Sequence, residues 1–180
     1  FAPLSAELVL GGSRHLGDKS IVVIPSLSGT TKESIAAMEY CQARGAKVIT
    51  LVGNADTPLG KGGDHVFVNA ADDETSTESF YLQSLFIALS IMRHRDGDAG
   101  YARFVEDAAR LPEALLGVKR AFDGRAEAFA EEIRETPWHI ITGAGAMWPE
   151  AFYYGMCILE EMQWIRTRPV QASDFFHGTL

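Results

Sequence analysis

Hydrophobic residues along the chain gather into short β-branched runs that alternate with longer stretches at helical spacing. The run Ile21-Val22-Val23-Ile24, inside Lys19 to Pro25, is too short for a helix and has no polar alternation. It predicts a strand buried on both faces of a parallel sheet. Thr31 to Arg44 places Ile35, Met38 and Cys41 at helical spacing, with Gly45 as its stop, and Lys47 to Val52 predicts a second strand. These elements make a βαβ unit. A Gly-rich turn from Gly53 to Gly63 leads to a shorter strand at His65 to Asn69. Ser76 to Arg93 then predicts a helix apolar on several sides, through Phe80, Leu82, Leu85, Ile87, Leu89 and Ile91.

From Tyr101 to Glu135 the chain turns Ala-, Glu- and Arg-rich, with Phe104, Leu111, Leu115, Val118, Phe122, Phe129 and Ile133 at helical spacing. The pattern predicts two connecting helices broken near Asp123-Gly124. Trp138 to Thr142 predicts another buried strand, followed by the Gly143-Ala144-Gly145 turn and a long helix from about Pro149 to Ile165. The order of strand, glycine turn and helix has restarted. The expected fold is therefore α/β, a parallel sheet flanked by helices. A first domain is expected at 1–98, connecting helices at 99–135, and the start of a second domain at 136–180. One strand alone does not make a stable sheet, so only the first elements of that second domain are expected in this chain.

Composition narrows the partners. The formal charge of -8 argues against a nucleic-acid or anionic-membrane surface, which needs clustered Lys and Arg. Any anion must be held locally. Cys41 and Cys157 fall in separate apolar, helix-like patterns, which predicts buried free thiols and a reducing, cytoplasmic setting. No stretch approaches the ~20 apolar residues of a membrane span, and the start has no basic region leading into an apolar one.

The strongest chemical pattern is Pro25-Ser26-Leu27-Ser28-Gly29-Thr30-Thr31, between a predicted strand and a predicted helix. Unpaired amides at a helix start carry partial positive charge, glycine permits close backbone approach, and four hydroxyls add donors. The competing reading is a simple N-cap and turn, which Ser and Thr commonly supply. Four hydroxyls in six residues exceed what capping requires. The Gly-x4-Gly-Lys-Ser/Thr spacing of a nucleotide P-loop is absent.

Ser-x-Ser-Gly-x-Thr between strand and helix resembles the phosphate loop of sugar isomerase (SIS) domains, which have a flavodoxin-like sandwich fold. Ser5-Ala6-Glu7, Glu74-Thr75-Ser76-Thr77, Gly143-Ala144-Gly145, Glu160-Glu161 and His177-Gly178 follow in that family's order. Within the family the chain looks most like the tandem-domain group, which holds the fructosamine-6-phosphate deglycases and the isomerase part of glucosamine-6-phosphate synthase. The resemblance implies phosphate and sugar contacts from Ser26, Leu27, Ser28, Gly29, Thr30, Thr31, Ser76 and Thr77. It also implies catalytic roles for Glu161, as the base moving a proton between C1 and C2, and for His177. Glu160 is the competing carboxylate. A carboxylate beside Met162 and Trp164 can be shifted towards working pH, and His is suited to general acid work.

The resemblance further implies a tandem-SIS protein with segments before Phe1 and after Leu180, acting as a homodimer or larger homo-oligomer. His15, His65, His94 and His139 have no ligand-like spacing with Cys or acidic residues, so no metal and no cofactor is expected. Tyr154 and Ile158 stand where the synthase has an acid and a lysine, which favours a deglycase over glucosamine-6-phosphate chemistry. An aminosugar-phosphate isomerase and a non-catalytic phosphosugar-sensing module remain the alternatives; the sensor would not need Glu161 and His177. Arg166 and Arg168 are open between a substrate carboxylate and solvent.

Overall fold

The computed structural model of the chain describes residues 2–69, 76–97 and 100–179, and of Ser76, Thr77 and Glu78 the backbone alone. Two compact units are present, Phe1–Glu106 and Asp107–Leu180.

In the first unit the β-branched runs do form strands. β1 (Ile21–Ser26), β2 (Lys47–Val52) and β3 (His65–Val68) make a parallel sheet in that order. Ser26 pairs with Val52, and Val52 with Val68, so the carboxyl ends of the strands are level. α1 (Ser5–Gly11) and α2 (Lys32–Gln42) cover one face, where Leu8, Ala37, Met38 and Cys41 close over Ile24, Val48 and Val52. The α2 stripe Ser34, Ala37, Met38 and Cys41 has helical spacing and is buried throughout. Its stop is the predicted one: Gly45 adopts φ 82°, and the Ala46 amide donates to the Cys41 carbonyl at 3.1 Å.

Two expectations need correction in this unit. β1 is buried on one face rather than both, since Ile21 and Val23 are 59% and 37% exposed while Ile24 and Ser26 are covered. It is an outer strand of the described sheet, so only its helix-facing side is shielded. The stretch Gly53 to Gly63 is more than a turn. It contains α3 (Pro58–Gly62), where the Thr57 hydroxyl caps the Gly60 amide, Pro58 takes the first turn and Leu59 is fully buried. α4 (Ser76–Asp96) follows three residues further than predicted, to Asp96.

The amino end of the sheet is latched by Asp64. Its carboxylate accepts from Lys47 Nζ at 2.7 Å and the Val48 amide at 2.9 Å, which holds it down at a pKa of about 2.

The second unit begins within α5 (Tyr101–Ile133), which is one helix without the predicted break near Asp123-Gly124. Gly124 costs only about 1 kcal/mol relative to Ala, and Ala121, Ala126 and Ala128 around it favour helix. β4 (Trp138–Gly143) pairs in parallel with β5 (Arg166–Gln171), from Trp138 opposite Arg166 to Gly143 opposite Gln171. β5 is unanticipated, because its polar Arg166-Thr167-Arg168-Pro169 opening lacks a strand's apolar signature. The predicted long α-helix after the glycine turn is composite. A 3-10 turn at Gly145–Met147 leads into α6 (Trp148–Tyr153), and a π-helix continues from Tyr154 to Met162. Both cysteines are free, with Cys41 buried and Cys157 half-buried. Among the described residues no helix is long and apolar enough to cross a membrane.

Candidate functional site

In parallel α/β sheets ligands bind at the carboxyl ends of the strands, and the Ser26 loop is the connection from β1 to α2 at that end. Ser26 closes β1 on the face covered by helices, which leaves it only 8% exposed. Its hydroxyl lies 3.3 Å from that of Thr31, the residue preceding α2. Thr31 makes no side-chain cap, so the amides of Lys32, Glu33 and Ser34 in the first helical turn have no side-chain acceptor from their N-cap. The simple capping reading of these hydroxyls therefore does not hold at Thr31.

The loop's carbonyls are turned to its own framework. Ser26 O accepts from the Gly29 amide at 3.1 Å, Leu27 O from Gly53 at 2.9 Å, and Gly29 O from Leu59 at 3.1 Å. Gly29 sits at φ 63°, and a Cβ there would lie 2.7 Å from Thr57 Cβ, so no larger residue fits without displacing Thr57. With carbonyls engaged and amides and hydroxyls at the start of α2, the loop can receive an anion without any cationic side chain. Leu27, Ser28, Thr30 and Thr31 are exposed, and the Thr30 amide donates to Ser28 Oγ at 3.3 Å.

Thr57 escaped the sequence reading, although it props Gly29 and caps α3. The Thr57-Pro58 pair, an N-cap followed by proline in the first turn, was the available signal. Ser76 and Thr77 open α4, but their side chains lie outside the described residues.

The carboxylate pair sits in the second unit, on the π-helix. Glu160 is part-buried, with Oε1 accepting from the Thr167 amide at 2.8 Å. Glu161, next along the chain, is exposed. One turn earlier the Cys157 thiol is pushed up, first by burial and then by the Glu161 carboxylate. His177 is exposed in a run of turns after β5, its amide donating to the Asp174 carbonyl at 2.9 Å. The two units thus divide the predicted residues, the hydroxyl loop in the first and Glu161 and His177 in the second. Among the described residues no group of three or more His, Cys, Asp or Glu side chains is placed to hold a metal ion.

The sequence profile of the SIS domain matches residues 3–93. The chain belongs to the SIS domain family. A fructosamine deglycase of Bacillus subtilis strain 168 is 25% identical to this SIS chain over 173 residues, which cover 96% of it and 53% of the relative. A fructoselysine 6-phosphate deglycase of Escherichia coli K12 is 25% identical over 166 residues, 92% of this chain and 48% of its own. Among solved structures, a candidate phosphosugar isomerase of Salmonella typhimurium LT2 aligns with a TM-score of 0.83 at 29% identity, across 97% of this chain and 53% of that one. The SIS chain spans about half the length of the curated relatives it matches.

Proposed function

We propose that this SIS protein is a deglycase that splits a fructosamine 6-phosphate into glucose 6-phosphate and an amine or amino acid. The observation that carries the reading is the likeness to a fructosamine deglycase over 173 residues, a length that takes in both units. In this proposal the Ser26 to Thr31 loop grips the phosphate, with Ser76 and Thr77 as further sugar or phosphate contacts. Glu161 is the base, because its neighbour Glu160 is engaged by the Thr167 amide while Glu161 is open to solvent.

The chemistry balances without a cofactor. Glu161 removes a C1 proton from the open-chain Amadori compound while the C2 carbonyl oxygen takes a proton from His177, giving an enaminol. Reprotonation at C2 produces a C1 iminium, water adds at C1, and the carbon-nitrogen bond breaks to release the amine and the aldehyde of glucose 6-phosphate. Tyr154 and Ile158, on the same helix as the carboxylate pair, carry neither a carboxylate nor an ammonium group, which supports the deglycase reading over glucosamine-6-phosphate chemistry.

A second reading, an aldose/ketose phosphosugar isomerase, draws on the likeness to the Salmonella typhimurium protein. Product analysis separates the two. The intact protein is incubated with ε-fructoselysine 6-phosphate, α-fructosyl-amino-acid 6-phosphates, glucosamine 6-phosphate and fructose 6-phosphate. Glucose 6-phosphate with equimolar amine from the first two supports the deglycase, whereas isomerisation of fructose 6-phosphate to an aldose 6-phosphate, or of glucosamine 6-phosphate to its ketose isomer, without amine release from a fructosamine overturns it.

A further inference from the structure

Adjacent glutamates on an ordinary helix point about 100° apart and have no reason to divide their work, yet here one is tied down and the other is open. The tie is unusual in its construction. Thr167, the second residue of β5, is bonded to both ends of the π-helix: its amide donates to Glu160 Oε1 at 2.8 Å, and its hydroxyl donates to the Gly155 carbonyl at 3.1 Å. Gly155 is buried, and a Cβ there would stand 2.8 Å from Pro169 Cγ and 3.3 Å from Thr167 Oγ1. The helix therefore lies directly against β5, and one strand residue spans its length.

Two features show that this segment is held away from its relaxed form. π-Helices are rare, and a nine-residue stretch from Tyr154 to Met162 exceeds the usual single bulge. At its exit Trp164 sits at φ 59°, a left-handed conformation that a bulky side chain adopts only when its surroundings enforce it, and the indole is 89% exposed. The indole's own packing cannot be the enforcing contact. The backbone bonds from Trp164 to Glu160 O at 3.1 Å and from Ile165 to Leu159 O at 2.9 Å close the turn, and the carboxylate of Glu160 anchors that same turn to β5. A bond from an ionised acceptor to an amide is among the stronger tethers available. If it were lost, the wide turns would be free to tighten and Glu161 would rotate about the helix axis.

We propose that Glu160 and Thr167 are positioning residues, which lock the π-helix onto β5 and thereby aim the Glu161 carboxylate. The inference rests on Glu161 being the base, and it adds a role for the glutamate that competes with it in the sequence. Cys157, one turn from Glu161, serves as a built-in reporter because its thiol is sensitive to that carboxylate.

The experiment has two readouts on the intact protein: kcat and KM with a fructosamine 6-phosphate, and the pH midpoint of Cys157 alkylation by iodoacetamide, followed on the Cys157 peptide by mass spectrometry. The variants are Glu160→Ala, Glu160→Gln, Thr167→Val and Thr167→Ser, with Glu161→Gln as the reference for losing the carboxylate. Glu160→Ala is expected to lower kcat about 10- to 100-fold with KM within about twofold, the scale of a misaimed group, and to move the Cys157 midpoint down as Glu161→Gln does. Glu160→Gln removes the same charge but keeps the acceptor for the Thr167 amide, so it should stay within about threefold of wild type and hold the midpoint. Thr167→Val should lose kcat several-fold and Thr167→Ser should restore it, and this pair decides the matter if Glu160→Ala does not fold. Wild-type kcat and midpoint in Glu160→Ala and Thr167→Val, or equal damage from Gln and Ala at 160, would overturn the proposal. Full turnover in Glu161→Gln would instead remove Glu161 as the base, and the thiol midpoints would then decide alone whether the tether holds the segment.

Discussion

The loop after β1 and the segment between β4 and β5 both follow a parallel strand, yet they hold their polar groups in different ways. Around Ser26 nearly everything that shapes the loop is backbone: Leu27 and Gly29 carbonyls are tied to Gly53 and Leu59, and Gly29 leaves no space beside Thr57. Such a site is rigid before any ligand arrives and depends little on pH. Around Glu161 the proposed base is an exposed side chain on a π-helix, which Thr167 ties to β5 through Glu160 and the Gly155 carbonyl. In the proposed function, binding and proton transfer therefore rest on separate physical foundations and should fail separately.

The sharpest break is Glu161→Gln. Loss of a general base lowers turnover about 10²- to 10⁴-fold, while an exposed isosteric change leaves stability within about 0.5 kcal/mol. Steady-state kinetics beside thermal melting checks this, and a melting shift of the same size as that of a core variant would show that Glu161 is structural. Gly29→Ala should act next most strongly, and on the other quantity. Its Cβ meets Thr57 and its φ is left-handed, so unfolding in urea should show a loss of about 1–3 kcal/mol, and phosphosugar affinity by calorimetry should drop at least tenfold. Unchanged affinity would mean the loop does not shape the phosphate site. Ser26→Ala deletes one donor to a charged ligand, worth about 1.5–3 kcal/mol, and should weaken binding roughly 10- to 100-fold with little change in kcat.

The smallest effect concerns stability alone. Asp64 titrates at about 2 in the folded protein, below its usual 3.8, so the stability it contributes is present above about pH 4 and is lost as pH falls towards 2. Asp64→Asn should flatten that acid limb in a pH series of melts while phosphosugar affinity stays within about twofold. A steep limb retained in the variant would assign acid sensitivity elsewhere.

Legibility in the sequence follows the same division. β1, α2 and β2 are announced by Ile21 to Ile24, by Met38 and Cys41 at helical spacing, and by the Gly45 stop; burial follows the local pattern at α2, whereas at β1 the run gives the strand but not its exposed face. The hydroxyl loop is legible because its chemistry is compressed into Ser26 to Thr31. β5 is hidden because Arg166 and Arg168 face solvent and Pro169 is a poor strand former, so pairing with β4 rather than propensity makes it a strand. The π-helix is equally invisible, since the apolar residues of Tyr154 to Met162 also suit an α-helix, and what distinguishes them is contact with Thr167, a residue beyond the helix. Gly124 misled in the opposite sense, as a single glycine does not interrupt a 33-residue helix.

The most direct test measures two quantities on the same preparations of the intact protein: the dissociation constant for a fructosamine 6-phosphate and the rate of glucose 6-phosphate release, in wild type, Ser26→Ala and Glu161→Gln. A crossed pattern is expected, with affinity lost and kcat largely kept in Ser26→Ala, and affinity kept with release abolished in Glu161→Gln. Release at the wild-type rate from Glu161→Gln, or undiminished affinity in Ser26→Ala, would contradict it.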